Sequence, residues 1–220
     1  MLNISVYNKD SLLEVGIDEA GRGPMLGRVY TAGVVLPKNN FKFEILKDSK
    51  KFSSEKKLRE VGEYIKKNCL KYSIQYEDEK IIDELNIKNA TYSAMHKVIK
   101  ELDLDFENSI LIIDGNDFKP YIYFDKLNNS LKEAKFECKI GGDSNYCHIA
   151  AASILAKIAR DDYIYDLCKN YPKLNEYYDL KKNTGYGTKK HMEGIKQFGI
   201  SEFHRKTFGI CQNSDIININ

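Results

Sequence analysis

Three acidic residues end apolar, strand-like segments, where their carboxylates could hold a metal ion. Asp18 and Glu19 end the segment that begins at Leu13, and Asp114 ends the apolar segment Ser109–Ile113. If these segments form neighbouring parallel strands, both acidic ends lie at one edge of the sheet, where α/β proteins build ligand sites. Carboxylate oxygens in this number suit magnesium or manganese rather than zinc. Acids that follow strands are also commonly solvated loop residues, and spacing alone favours that interpretation.

A fourth acid and the strand geometry decide whether one shared site can form. Successive strand side chains point to opposite faces, so a site shared by Asp18 and Glu19 requires the chain to leave β geometry at Glu19. The following Ala20 and Gly21 make such a departure plausible. Asp143 immediately precedes a long helical segment, and this position favours a helix N-cap over a cation ligand. A capping aspartate at the sheet edge could nonetheless point its carboxylate towards the cation.

Three loops could contact a phosphate, a sugar or a base. In the tripeptide Gly21-Arg22-Gly23, backbone without side chains flanks a guanidinium that can bind a phosphate through two hydrogen bonds. Tyr186 lies on a basic Gly-Tyr-Gly turn, where its ring could stack on a base or sugar. Ser49 and Lys50 could bind phosphate. Taken alone, the Gly-Arg-Gly tripeptide and Tyr186 each favour a purely structural turn, and the same alternative stays open for Ser49 and Lys50.

Hydrophobic periodicity predicts the elements that position these residues. Strands and helices alternate, which favours an α/β fold with a mixed central sheet flanked by helices and followed by a helical C-terminal region. The expected strands are Leu13–Asp18, Val29–Leu36, Leu70–Tyr76, Ser109–Ile113 and Lys135–Ile140. The expected longer helices are Ser54–Cys69, Ala90–Leu102 and about Asn145–Cys168.

Composition and charge exclude several classes of protein. The chain has 220 residues, of which 42% are hydrophobic and 30% charged, so it is neither disordered nor fibrous. A net charge of +2 excludes a strongly basic tail as the means of binding nucleic acid. Five cysteines without a C-x-x-C pair argue against a disulfide framework and a zinc ribbon. We find no bilayer-length apolar segment and no export signal in Met1–Leu13, and expect a cytoplasmic monomer without membrane contact.

The order of the motifs resembles that of the bacterial type 2 ribonuclease H family, ribonuclease HII. The resemblance runs from about Val15 to Gly209, nearly the whole chain. The matching segments are Asp18–Pro24, Asp48–Lys51, Ile82–Ile87, Ile113–Asn116, Ala150–Lys157, Gly185–Thr188, His204–Arg205 and Phe208–Gly209. Each segment alone is a weak signal, but their shared order is highly specific.

The resemblance implies a ribonuclease H-like fold and an endoribonuclease. Such an enzyme cleaves the RNA strand of RNA–DNA hybrids and the phosphodiester 5′ of ribonucleotides embedded in duplex DNA, leaving 3′-hydroxyl and 5′-phosphate ends, and removes misincorporated ribonucleotides and RNA primers. It uses two divalent ions, Mn²⁺ or Mg²⁺.

Matching residue by residue, the resemblance also implies the site residues. The catalytic, metal-binding acids would be Asp18, Glu19, Asp114 and Asp143. The nucleic acid would be bound by Gly21, Arg22, Gly23, Ser49, Lys50 and Tyr186. Within this set the Gly-Arg-Gly loop would read the ribose 2′-hydroxyl and its phosphate, and Tyr186 would stack on the adjoining deoxyribose.

Three departures from the family pattern affect these expectations. The Tyr121–Lys135 segment is longer than in many bacterial members, and Gly141 stands where a lysine is usual. Both put Asp143 in question as the fourth carboxylate, with Asp125 as the less favoured substitute. Thr184 stands where a lysine often precedes the Gly-Tyr turn, which suggests slightly weaker binding of the nucleic-acid backbone.

We expect one ribonuclease H-like domain over residues 1–220, with a catalytic core at about 13–170 and a substrate-contacting helical region at about 171–212. The tail Ser214–Asn220 lacks a paired-aromatic docking motif, so the sequence does not support contact with a replication clamp, and we expect this tail to be frayed. Two other functions stay open. One is a nuclease of the same fold acting on DNA junctions or in strand transfer, and the other is a non-catalytic nucleic-acid-binding module.

Overall fold

A five-stranded mixed sheet forms the centre of the protein. The computed structural model describes residues 2–4 and 12–219; residues 1, 5–11 and 220, and with them most of the Met1–Leu13 segment, lie outside the described residues. The strands are β1 (Leu13–Ala20), β2 (Val29–Val35), β3 (Lys71–Glu77), β4 (Ser109–Asp114), β5 (Ile122–Asp125), β6 (Ser130–Glu133) and β7 (Phe136–Lys139). The sheet order is β3-β2-β1-β4-β7, and β1 pairs antiparallel with β2 and parallel with β4. The expected mixed sheet, with these two acid-ended strands as parallel neighbours, is confirmed.

Helices cover both faces of this sheet. They are α1 (Glu55–Asn68), α2 (Glu79–Leu102), α3 (Cys147–Asn170), α4 (Pro172–Tyr178), α5 (Leu180–Asn183) and α6 (Lys189–Phe198). On one face, α1 and α3 share a buried core with Ala32 and Val34 of β2. On the other face, α2 shares a core with Val15 and Ile17 of β1. Because side chains alternate along a strand, the even-numbered residues of β1 face α3 and the odd-numbered residues face α2.

The backbone of α3 lies directly against β1 because Gly16 has no side chain. A Cβ at Gly16 would lie 2.2 Å from the backbone carbonyl carbon of His148, which is too close for two carbon atoms that are not bonded. The first turns of α3 also carry small side chains, and those of Ala150–Ala152 are fully buried. The close approach of these two elements fixes where the rest of α3 lies relative to the end of the sheet.

The helices α1 and α2 each have an N-cap residue whose side chain accepts a backbone hydrogen bond. Ser54 caps α1 and Asp78 caps α2, each accepting a hydrogen bond from a backbone N–H of the first turn. The predicted helix Ala90–Leu102 is only the second part of α2. The element as a whole starts at Glu79 and crosses a kink at Asn86, whose φ is 65°.

A two-stranded hairpin that was not predicted, formed by β5 and β6, lies within the long Tyr121–Lys135 segment. Phe124 and Leu131 pair across it, and both are exposed. Asp125 closes the hairpin, where it forms an ion pair with Lys132 and accepts a hydrogen bond from Asn128, and these two partners lower its pKa. The Asp125 carboxylate is thus engaged within the hairpin, which argues against it as the fourth carboxylate of the acidic site.

The helices α4, α5 and α6 pack around a separate buried core that includes Tyr178. The expectation of a frayed tail is wrong for residues 214–219. Ile200 N donates to Asp215 O and Ile217 N donates to Ile200 O, each at 2.8 Å, and Ile219 is buried. Over residues 2–4 and 12–219, no helix has both the length and the apolar character needed to cross a membrane.

Candidate active site

A cleft of about 460 Å³ opens at the C-terminal ends of β1 and β4. Four carboxylates line it, those of Asp18, Glu19, Asp114 and Asp143. The parallel pairing of β1 with β4 puts Ile17 opposite Ile113, so the next residues, Asp18 and Asp114, lie side by side where this pairing ends. The expectation that these strand ends meet at one edge of the sheet is confirmed.

Glu19 reaches the cleft without leaving β1, so the expectation of a break in β geometry is wrong. Its backbone remains paired with Thr31 of β2. Asp18 faces α3, where the Ser153 hydroxyl donates a hydrogen bond to it, while Glu19 faces the side of α2. The pairing of β1 with β4 stops at Ile113, and beyond that point both faces of β1 open into the same space.

Of the acids at the cleft, Asp18 is buried and the others are partly buried, and their charges repel one another. Burial raises the pKa of Asp18 well above its ordinary value, and the nearby charges of Glu19 and Asp114 raise it further. Burial also raises the pKa of Glu19, although Arg22, whose Nη1 lies 3.3 Å from Oε1 of Glu19, opposes that rise. Burial raises the pKa of Asp114, opposed by the N–H of Gly142, which donates to its Oδ1 at 2.7 Å. Additional positive charge in the cleft would stabilise all three carboxylates.

Asp143 lies in a short 3-10 turn before α3 and does not cap it. The N-cap position belongs to Tyr146, which makes no capping hydrogen bond through its side chain, so the predicted capping role is wrong. The Asp143 carboxylate instead lines the cleft, and its charge raises the pKa of Asp114. Gly141, which replaces the usual lysine, has a φ of 64°, a conformation that glycine adopts readily.

The donor set fits a hard divalent cation, although the carboxylates are not gathered into a finished site. In the part of the chain that the structure describes, no three His, Cys, Asp or Glu side chains stand close enough together to hold a metal ion as they are placed. Each acid at the strand ends has another partner: Glu19 has Arg22, Asp114 has the Gly142 N–H, and Asp18 accepts from the N–H of Glu19 at 2.7 Å. A divalent cation bound here would offset the repulsion that raises the pKa values of these carboxyl groups.

The predicted substrate loops meet the acids in the same cleft. Its lining also includes Gly21, Arg22, Gly23, Ser49, Lys50 and Tyr186. Arg22 is half-exposed, and Tyr186 is 49% exposed with its ring beside Gly23, where a Cβ would lie 3.3 Å from Cε1 of the ring. Gly21 has a φ of 93° and lies against the side chain of Arg160. The fold therefore brings the predicted loop residues and the predicted acids to one cleft.

Arg160, in the charged second half of α3, was not among the predicted site residues. Its side chain is buried at 2% exposure between Gly21 and Gly185. Nη2 donates to Leu26 O at 3.3 Å, whereas Nε and Nη1 have no hydrogen-bond partner among the described residues. Helical spacing could have identified Arg160. It lies about one turn beyond Lys157, so both side chains are on the same side of α3 and line the cleft.

Comparison with known proteins identifies relatives over nearly the whole chain. The family model for ribonuclease HII matches residues 15–211. The ribonuclease HII of Bacteroides thetaiotaomicron is 41% identical over 213 residues, which cover 97% of this chain and 96% of the relative. That of Pelagibacter ubique is 42% identical over 193 residues, covering 88% and 94%.

Solved structures share the fold. The ribonuclease H2 of Pyrococcus horikoshii has a TM-score of 0.71 at 22% identity, covering 91% of this chain and 96% of that one. The ribonuclease HII of Archaeoglobus fulgidus, solved in a complex with PCNA, has a TM-score of 0.68 at 23% identity, covering 90% and 96%. A ribonuclease HIII labelled Bst, solved with Mn²⁺, has a TM-score of 0.61 at 14% identity, covering 85% and 70%. The fold is ribonuclease H-like, and the chain belongs to the ribonuclease HII family.

Proposed function

We propose that this metal-dependent endoribonuclease, which acts on RNA–DNA hybrids, also cuts the phosphodiester bond 5′ of a ribonucleotide embedded in duplex DNA. The products would carry 3′-hydroxyl and 5′-phosphate ends, and the role would be to remove misincorporated ribonucleotides and RNA primers. One observation carries this specificity. The acidic strand ends share a single cleft with the Gly-Arg-Gly loop and the exposed Tyr186.

The residues that would hold the ions are Asp18, Glu19, Asp114 and Asp143. An all-carboxylate donor set suits Mg²⁺ or Mn²⁺, and the burial and mutual repulsion of these acids support the binding of cations here. Two divalent ions, when bound, supply the activation of a water molecule and the stabilisation of the leaving 3′-oxygen. The protein itself supplies the placement of the acids, through the parallel register of β1 and β4.

The loops that line the cleft beside the acids would recognise the substrate. The half-exposed Arg22 guanidinium can bind the phosphate next to the ribose, and Gly21 and Gly23 let the backbone approach the 2′-hydroxyl. The Tyr186 ring would stack on the next sugar, where a 2′-hydroxyl would crowd it. Lys50, exposed beside the cleft, adds positive charge for the nucleic-acid backbone.

We propose a cytoplasmic location, and no replication-clamp partner bound through an aromatic motif in the C-terminal residues. All five cysteines are free thiols, which suits the reducing conditions of the cytoplasm. We infer that the chain acts as a monomer on its nucleic acid. Residues 214–220 contain no aromatic side chain, so a contact with a replication clamp, the partner of the Archaeoglobus fulgidus relative, would not use an aromatic motif there.

Cleavage of an end-labelled DNA duplex that contains a single ribonucleotide tests this function. We expect one product, cut 5′ of the ribonucleotide, in the presence of Mg²⁺ or Mn²⁺ and none in the presence of a chelator. Cleavage of the matched all-DNA duplex would instead favour a nuclease of DNA junctions. No product at any cation concentration, with binding retained, would favour a non-catalytic module.

A further inference from the structure

The chain segment that ends at Arg205 runs beside the loop that follows Gly23. Leu26 and His204 form an antiparallel bridge. Gly27 N donates to Phe203 O at 2.8 Å, and Arg205 N donates to Met25 O at 2.9 Å. A segment near the C-terminus is therefore the direct backbone neighbour of the Gly-Arg-Gly loop, far from it in sequence.

The Arg205 side chain gathers the carbonyl groups of that loop. It is fully buried, and its guanidinium donates to five backbone oxygens of residues 21–28. These are the carbonyls of Gly27 at 2.8 Å, Arg22 at 2.9 Å, Pro24 at 2.8 Å, Gly21 at 2.5 Å and Arg28 at 3.2 Å. A guanidinium has five N–H donors in one plane, so the number of donors equals the number of acceptors. The loop is thereby wrapped around one rigid group.

His204, next to Arg205, contacts the loop that carries Tyr186 through a second buried histidine, His191. Ser201 N donates to Nδ1 of His204 at 3.0 Å, so Nδ1 is an acceptor and the proton of the neutral ring lies on Nε2. Nε2 of His204 lies 3.1 Å from Nε2 of His191, whose Nδ1 lies 3.0 Å from Tyr186 O. Only one pair of tautomers satisfies all three contacts: His204 donates to His191, and His191 donates to the Tyr186 carbonyl.

Burial keeps this relay neutral. It lowers the pKa of His204 to about 3, with the nearby His191 as the second cause, and it also lowers the pKa of His191. Both rings are fully buried, so their hydrogen bonds do not compete with water. The two loops also touch directly, because Met25 N donates to Gly185 O at 2.8 Å.

We propose that His204 and Arg205 are positioning residues that set the spacing between the Gly-Arg-Gly loop and Tyr186. Adjacent in sequence, they hold one loop each. The enzyme would therefore recognise a ribose and the deoxyribose that follows it as a single unit of fixed length. This inference rests on the proposed roles of these two loops, and it concerns the junction between RNA and DNA rather than catalysis itself.

The first test is Arg205→Lys, which keeps the positive charge but loses the planar set of donors. Steady-state kinetics are measured on a duplex with one ribonucleotide and on a continuous RNA–DNA hybrid. On the single ribonucleotide we expect kcat to fall by about tenfold to a hundredfold with little change in KM, since small errors of placement cost rate. On the hybrid, whose next sugar is a ribose that Tyr186 does not stack on, we expect a smaller loss.

The matched control is Arg59→Lys. Arg59 forms surface ion pairs with Glu55 and Asp162, so this substitution should leave the kcat and KM on both substrates unchanged. A folded Arg205→Lys variant whose kcat falls equally on both substrates, or whose KM alone rises, would overturn the proposal. If the wild-type enzyme does not cut the single ribonucleotide at all, the proposed function fails instead, and the two failures are thus distinguishable.

The second test is a double-mutant cycle between His204→Phe and Tyr186→Ala on the single-ribonucleotide duplex. If His204 acts through Tyr186, its substitution should cost nothing further once the tyrosine ring is gone. Independent, multiplicative losses would contradict the relay. His96→Phe, at a half-buried histidine that hydrogen-bonds Lys119 O, is the control for the loss of an imidazole. Should His204→Phe not fold, the Arg205→Lys comparison still decides the proposal.

Discussion

The ring of Tyr186 packs against Gly23, close enough that a Cβ on the glycine would lie 3.3 Å from Cε1 of the tyrosine. The two proposed recognition elements, one early and one late in the chain, are therefore in direct contact. Gly21, two residues earlier, is constrained differently. A Cβ there would lie 2.4 Å from Nε of the buried Arg160, and its φ is 93°.

Substitution by alanine should have different effects on stability at Gly23 and at Gly21. Gly23→Ala should displace only a half-exposed ring, so we expect a severalfold loss of kcat on a single ribonucleotide and almost no change in stability. Gly21→Ala forces both a clash and a strained backbone, and we expect it to destabilise the fold by roughly 1–3 kcal/mol. Urea unfolding and cleavage assays on both variants check this. Equal stabilities of the two variants would contradict the described packing.

Asp114→Asn should abolish cleavage while leaving binding of an RNA–DNA hybrid largely intact. The substitution keeps the shape of the side chain but removes a charge that would hold a cation, and we expect activity below about one hundredth of the wild-type rate. Thermal stability should stay equal or rise, because the repulsion of Asp18 by Asp114 is relieved. Asp162→Asn, at an exposed acid paired with Arg59, is the control. A wild-type rate in Asp114→Asn would refute the metal assignment.

Tyr186→Ala should reduce cleavage at a single ribonucleotide more than cleavage of a continuous hybrid. Stacking of an aromatic ring is worth about 1–3 kcal/mol, which corresponds to roughly 5-fold to 150-fold in kcat/KM. Tyr186→Phe keeps the ring and should keep the preference, since stacking uses the aromatic ring and not the hydroxyl group. A loss in Tyr186→Ala that is equal on both substrates would count against stacking on the deoxyribose.

Stability should fall as the pH falls through the ordinary pKa range of histidine. The pKa of His204 is lowered to about 3 by burial, while in the unfolded chain it is about 6.5. Between these values the unfolded state binds the extra proton, so acid favours unfolding, and His204 alone should cost about 2 kcal/mol between pH 7 and pH 5. The measurement is urea unfolding at both pH values. His204→Phe should show a smaller loss than the wild type, and an identical loss would contradict a buried neutral ring.

The sheet and the acidic edge could be predicted because their signals are local. The apolar segment Ser109–Ile113 and the segment from Leu13 to Asp18 each read as a strand, and neighbouring parallel strands bring their carboxyl ends together. The hairpin of β5 and β6 was missed because its strands are four residues each and mix polar with apolar side chains. The predicted capping role of Asp143 was wrong because the chain inserts a short turn before α3.

The supports of the site were hidden because they depend on contacts distant in sequence. Arg160 stands among charged residues and reads as solvent-facing, yet it is buried between two loops that only the fold brings to it. The family resemblance includes His204–Arg205, but it does not show that Arg205 is buried, since its five acceptors are backbone oxygens of residues 21–28. Backbone carbonyls carry no sequence signature, so these relationships become visible only in three dimensions.

The absence of a side chain at Gly16 governs the cleft from a distance. Even a methyl group there would collide with the backbone of His148 and lift the start of α3 from the sheet. A helix moves as a rod, so Ser153, Lys157 and Arg160 would all shift together, and the floor of the cleft would drop away from the carboxylates on β1. Gly16, which does not line the cleft, thus sets how closely α3 approaches the carboxylates on β1.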